Sequence, residues 1–287
     1  MRHNMDFNII EFAKKQLIIC SHRGAWGGNI PCNSITAFDI ALRHGADMVE
    51  LDVTAGADGE LFVFHPGQEE RQLNLKNTDI RRMTADEIRR LRYANLDGKE
   101  TPEPIHTFDE VLDYLKGKCY INVDKFSDNP AAIMKAIERH GMKEQIIVKS
   151  EVNEGLISLI EDYAPDLQYI GIIKDGPERH EMLMKRKLNY VGLEVVFRQN
   201  DSPIVSEEFM EKVHRDGKLL WGNAIVFNYR NPLAADHGDD VALREDPHRG
   251  WGYFAEKGFD IIQTDWPLAL SLYLQENGMK VRGANHT

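Results

Sequence analysis

The chain has 287 residues, enough for one large α/β domain or two ordinary ones, and its 42% hydrophobic content supports a substantial core. A formal net charge of −11 argues against nucleic-acid binding, which needs a basic face. No run approaches the ~20 apolar residues that span a bilayer, so no stable membrane insertion is expected.

In chain order, Met1 to Gln16 reads as a short helix, with Phe7, Ile10 and Phe12 available to cover one end of a barrel. Leu17 to Cys20 is a β-type apolar run and Gly24 breaks it, with His22 and Arg23 at its C-terminal end. From Asn33 the apolar spacing becomes helical (Ile35, Phe38, Ala41, Leu42), with Asn33 or Ser34 as N-cap and Gly45 as stop. Met48 to Val53 and Glu60 to Phe64 read as strands, the second delivering His65. Pro66 to Asn77 has no clear period, Thr84 to Glu87 signals a helix through Leu91, and Tyr93 to Pro104 reads as a loop. Residues 66–105 are therefore expected to form an insertion on a barrel, with the whole of 1–287 as one domain.

After Cys119 the rhythm is regular. Strands are expected at Tyr120 to Asp124, Ile146 to Lys149, Gln168 to Ile173, Val191 to Phe197, Leu219 to Ala224 and Asp260 to Thr264. Helical patterns lie between most of them. With Leu17 to Cys20 and Met48 to Val53 these make eight strands, and such alternation implies parallel pairing with right-handed crossovers. The fold expected is a (β/α)8 TIM barrel with a small insertion after the second barrel strand. The connection Phe227 to Gly250 is long for a compact domain and reads as a lid or a segment with its own helix, its Asp236 to Asp240 run as a solvated loop or helix cap.

In such a barrel the working groups sit at the C-terminal strand ends. Strand alternation puts Glu50 and Asp52 on one face, and two adjacent carboxylates repel each other unless a cation or donors neutralise them. A hard divalent cation suits such oxygen ligands, and His22 and His65 beside it are suited to moving protons near neutral pH. Asp124 ends the third barrel strand. Lys149 and Glu194 each interrupt an apolar strand; a phosphate oxygen suits Lys149, while Glu194 orients Lys149 or a metal's water, unless the two simply pair.

These residues resemble the glycerophosphodiester phosphodiesterase family. The resemblance rests on His22-Arg23-Gly24, Pro31-Cys32-Asn33-Ser34, Ala37-Phe38, Gly45-Ala46-Asp47, Glu50-Leu51-Asp52-Val53, Asp58-Gly59 and His65-Pro66, and later on Ile121 to Lys125 and the closing Gly258 to Pro267. Cys32 stands where the family usually has Glu, Pro66 where it has Asp, and Asp124 where it has Glu. The resemblance implies a third metal ligand at Asp124, beside Glu50 and Asp52, for Mg²⁺ or Ca²⁺. It also implies hydrolysis of a small-molecule glycerophosphodiester to sn-glycerol 3-phosphate and an alcohol, a step in lipid metabolism. His22 and His65 are expected to act as acid and base, with Arg23, Lys149, Glu194 and Trp221 expected around the substrate; Trp221 is foremost expected as barrel packing. Asp265 is expected to cap the final helix.

Two other readings compete: a non-catalytic phosphodiester or sugar-phosphate binder, and a related phospholipase acting on another phosphodiester. Cys20, Cys32 and Cys119 lack CxxC spacing, and Met1 to Lys15 lacks a signal-peptide apolar run, so a cytoplasmic protein is expected. Cys32, next to the His22 loop, is expected to be reachable by a thiol reagent.

Overall fold

Eight parallel strands close on themselves in this computed structural model, which describes residues 7–226 and 230–281. They are β1 (Ile18–His22), β2 (Met48–Ala55), β6 (Tyr120–Asp124), β7 (Ile146–Glu151), β8 (Gln168–Ile173), β9 (Tyr190–Val195), β10 (Leu219–Asn223) and β11 (Ile261–Thr264). Each pairs with its neighbour in chain order, and β1 pairs with both β2 and β11, which closes the ring. The connecting helices include α2 (Ile35–Arg43), α5 (Phe108–Leu115), α6 (Pro130–His140), α7 (Glu154–Tyr163), α8 (Glu178–Met184) and α9 (Glu207–Arg215), with α12 (Pro267–Glu276) closing the round. This is the expected (β/α)8 TIM barrel.

Alternation along each strand divides the core in two. Outward residues such as Val49, Leu51 and Val53 of β2 pack with helix faces such as Phe38, Ala41 and Leu42 of α2. Inward residues of the barrel's lower half, including Cys20, Met48, Tyr120, Ile147 and Trp221, form a second cluster. Ile9 of α1 (Ile9–Ala13) seals that cluster from below, and Phe7 and Phe12 meet the Tyr120 ring edge-on at 5.2 and 5.5 Å. Residues 1–6 of the expected N-terminal helix lie outside the described residues.

Local signals explain the start of the fold. Ser34 Oγ accepts from the Ala37 amide at 3.1 Å and caps α2, as the sequence indicated. Gly24 has φ +83°, and a Cβ there would lie 2.7 Å from Ala37, so glycine alone allows β1 to turn so tightly into α2.

The short strand β3 (Leu61–Val63) pairs antiparallel with the end of β2. Beyond it the chain leaves the barrel through α3 (Glu69–Leu73) and α4 (Ala85–Arg89). Phe62, Phe64, Leu73, Ile80, Ile88 and Tyr93 give this excursion a small core of its own. The Tyr93 to Pro104 stretch is not a loop: β4 (Arg92–Ala94) and β5 (Glu100–Pro104) form an antiparallel hairpin. Pro102 and Pro104 are tolerated because β5 is an edge strand, where a missing N–H breaks no ladder. In the long 227–250 connection, α10 (Asp239–Arg244) is the expected helix; residues 227–229 lie outside the described residues. Among the described residues no helix is long and apolar enough to cross a membrane.

Candidate active site

Register sets the first geometry. His22 on β1 lies beside Glu50 on β2, and Asp52 lies beside Asp124 on β6. Glu50, Asp52 and Asp124 therefore converge at the C-terminal mouth, each offering an oxygen within 4.8 Å of the others. Burial and the neighbouring Asp52 push Glu50 up to about 7. Burial acts the same way on Asp124, but the Lys125 and Lys149 charges outweigh it and hold this carboxyl below the ordinary range.

Asp52 is fully buried and held on one side only. Its Oδ2 accepts from Asn33 Nδ2 at 2.9 Å and lies 2.9 Å from Arg23 Nε, an ion pair without the alignment of a hydrogen bond. Asn33 Oδ1 in turn accepts from the Asp52 amide at 3.3 Å. Asp52 Oδ1 has no hydrogen-bond partner although it is buried. Three converging carboxylates and an unsatisfied buried oxygen form a donor set that fits a hard divalent cation.

The two histidines flank this set. His22 Nε2 is 4.0 Å from Glu50 Oε2, and His65 Nε2 is 3.9 Å from Asp52 Oδ1. Both Nδ1 atoms are engaged: His22 Nδ1 lies 2.8 Å from Asp265 Oδ1, and His65 Nδ1 lies 2.8 Å from the Pro66 carbonyl oxygen. Those partners only accept, so each Nδ1 carries the proton and each Nε2 is the nitrogen on the side of the carboxylate cluster. Burial works against a charged His22 ring, but the Asp265 hydrogen bond and the Glu50 and Asp265 charges prevail and raise its pKa.

Asp265 is thus not the cap of the final helix. The N-cap of α12 is Trp266, without a side-chain cap bond, and the Asp265 carboxylate faces His22. Asp239 stands behind it. Its Oδ2 accepts from the Asp265 amide at 2.8 Å, and its Oδ1 accepts from Thr264 Oγ1 and Trp251 Nε1, each at 2.7 Å. Asp239 is buried, so this part of the Asp236 to Asp240 run is not solvated; its polarity serves the barrel mouth.

Lys149 and Glu194 occupy the barrel interior and pair, with Nζ 2.6 Å from Oε2, while Asn223 Nδ2 donates to Glu194 Oε1 at 2.7 Å. Lys149 Nζ sits 3.9 Å above the Trp221 ring. Trp221 itself is fully buried and belongs to the lower core, so it supports Lys149 from beneath and does not line the cleft. Arg23 has φ +58°, and its amide donates to Glu50 Oε2 at 3.1 Å. Cys32 is buried, contrary to the expected accessibility, and its Sγ accepts from Gln72 Nε2 at 3.2 Å.

A cleft of about 920 Å³ opens above these groups. His22, Arg23, Glu50, His65, Asp124, Lys149 and Glu194 line its floor, and Gln68, Arg71, Gln72, Asn95 and Leu96 of the excursion form one wall. That wall was missing from the sequence reading, because the excursion's residues carry no spacing that ties them to the barrel mouth.

Comparison with known proteins finds relatives in sequence and in fold. The profile of the glycerophosphoryl diester phosphodiesterase family matches residues 22–237. A glycerophosphodiester phosphodiesterase of Bacillus altitudinis is 27% identical over 176 residues, covering 58% of this chain and 71% of the relative. A glycerophosphoryl diester phosphodiesterase structure from Parabacteroides distasonis superposes with a TM-score of 0.77 at 17% identity, over 99% of this chain and 96% of that one. An Oleispira antarctica phosphodiesterase, solved in complex with the product sn-glycerol-3-phosphate, gives a TM-score of 0.66 at 16% identity, over 93% and 99% of the two chains.

Proposed function

The chain belongs to the glycerophosphoryl diester phosphodiesterase family, and we propose that it hydrolyses glycerophosphodiesters to sn-glycerol 3-phosphate and an alcohol by metal-dependent acid–base catalysis. The observation that carries this reading is the three-carboxylate cluster set between two histidines whose Nδ1 atoms are held and whose Nε2 atoms lie 4.0 Å from Glu50 and 3.9 Å from Asp52.

Glu50, Asp52 and Asp124 would hold Mg²⁺ or Ca²⁺, which supplies Lewis-acid stabilisation of a non-bridging phosphate oxygen. Arg23 and Lys149 add fixed positive charge around the phosphate, and Glu194 keeps Lys149 charged and in place. One histidine takes a proton on Nε2 from the nucleophile, either water, which gives sn-glycerol 3-phosphate directly, or a substrate hydroxyl next to the phosphate, which gives a cyclic phosphodiester that water opens in a second such step. As the new P–O bond forms and the ester bond breaks, the other histidine gives its Nε2 proton to the departing oxygen. Asp265 holds the His22 ring in the tautomer this requires.

We read the described residues as one catalytic unit, with the 66–105 excursion as a wall of its cleft. Three buried cysteines that form no disulfide accord with work in a reducing, cytoplasmic setting. The test is release of sn-glycerol 3-phosphate from a panel of glycerophosphodiesters before and after chelation. Turnover that stops with chelator and returns with Mg²⁺ or Ca²⁺ supports the reading; no turnover of any member under any metal rejects it.

A further inference from the structure

The cleft carries five cations, and four of them meet a carboxylate. Arg23 lies 2.9 Å from Asp52, Lys125 lies 3.2 Å from Asp124 and Lys149 lies 2.6 Å from Glu194, while Lys174 pairs with Glu151. The fifth, Arg71 on α3, has no ion pair or hydrogen bond among the described residues. The acids beside it on the same helix are engaged elsewhere: Glu69 Oε1 accepts from the Ile80 amide at 3.1 Å, and Glu70 meets Lys76 at 3.8 Å. The carboxylates that line the cleft are Glu50, Asp124, Glu151, Glu194 and Asp265, all on barrel strands or directly after them, and none comes from residues 66–105. The excursion wall therefore presents one uncompensated positive charge to the cleft, in a protein whose formal net charge is −11.

That charge stands on a built scaffold. Leu73 and Glu69 anchor α3 in the excursion's core, Gln72 ties it to Cys32, and Asn74 Nδ2 donates to the Gly98 carbonyl at 3.0 Å. On the facing side Asn95 Nδ2 donates to Asn29 Oδ1 at 2.8 Å, joining the hairpin to the loop after β1. The wall's other polar groups, Gln68, Gln72 and Asn95, are neutral amides suited to hydroxyls.

We propose that this wall is the subsite for the substrate's alcohol half, and that it takes an alcohol bearing negative charge, such as a second phosphodiester, in preference to a cationic one. An anion there would receive the donors of Arg71, whereas a quaternary ammonium would face a guanidinium with no carboxylate to offset it. The inference rests on the phosphodiesterase reading above and adds the substrate class to it.

The experiment compares kcat/KM for three substrates sharing the glycerophosphate half: bis(glycerophospho)glycerol, glycerophosphoglycerol and glycerophosphocholine. Wild type should favour them in that order. Arg71→Gln should lower the ratio of the first to the last by about three- to tenfold, the usual worth of one partly solvated charge contact, and Arg71→Glu should lower it further. Arg71→Lys, which keeps the charge, should restore part of the ratio. Hydrolysis of all three substrates with the ratio unmoved in Arg71→Gln and Arg71→Glu would overturn the subsite and leave the activity standing. Hydrolysis of none by wild type would overturn the activity itself, and the subsite with it.

Discussion

His22 and Asp265, 243 positions apart in sequence, meet at 2.8 Å where the first and last barrel strands pair. Closure of the barrel creates this contact. It sets the ring's tautomer, and Asp239 in turn holds the Asp265 backbone from the long 227–250 connection.

Asp265→Asn should therefore change the pH profile as well as the rate. The His22 pKa is raised because the Asp265 hydrogen bond and the nearby charges outweigh burial. Without the Asp265 charge, burial dominates and the protonated ring is lost at lower pH, so the limb of the kcat profile that belongs to His22 should move to lower pH. The rate should fall about 10- to 100-fold, the usual cost of losing such an orienting partner. An unmoved profile in a folded variant would show that the contact does not tune His22.

Glu50 should cost the metal-free protein stability. Its carboxyl is pushed up to about 7 by burial and by Asp52. The folded state therefore binds a proton here more tightly than the unfolded chain, and the associated stability is present below about pH 4.5 and lost as pH rises through about 7. Glu50→Gln should raise the metal-free Tm at pH 8 and abolish the further rise that Mg²⁺ or Ca²⁺ gives wild type. That rise should correspond to about 2.7 kcal/mol at a hundredfold excess over Kd. A metal-induced shift of wild-type size in Glu50→Gln would contradict the assigned ligand set.

Much of this arrangement is legible in the sequence, because strand periodicity is local. The alternation in Met48 to Val53 places Glu50 and Asp52 together before any tertiary contact is known, and the regular strand and helix pattern after Cys119 implies a closed parallel barrel. What stays hidden depends on long-range packing. Asp265 resembles an ordinary helix cap until closure brings it to His22. Asp239 lies in a polar run that reads as solvated, yet it is buried under three donors. Pro102 and Pro104 argue for a loop, and only the edge position of β5 lets them stand in a hairpin.

Cys32 offers a direct check on burial. Its thiol is pushed up to about 11, chiefly by removal from water, and its Sγ is held by Gln72. Little thiolate exists at pH 7, so labelling of the native protein by a thiol reagent should be slow and should accelerate as pH rises. Cys32→Ala should keep most turnover, since the proposed steps need no sulfur nucleophile. Rapid labelling at pH 7, or a loss as large as that of a histidine variant, would contradict this placement.

The central claim is that His22 and His65 act as an acid–base pair across the carboxylate cluster. It is tested most directly by measuring kcat for His22→Ala and His65→Ala on an alkyl glycerophosphodiester and on an aryl phosphodiester, whose leaving group needs no proton. Each variant should lose about 10²- to 10⁴-fold on the alkyl substrate. The aryl substrate should rescue one variant, the one lacking the acid, and not the other. Near wild-type kcat for both variants on both substrates would contradict the account.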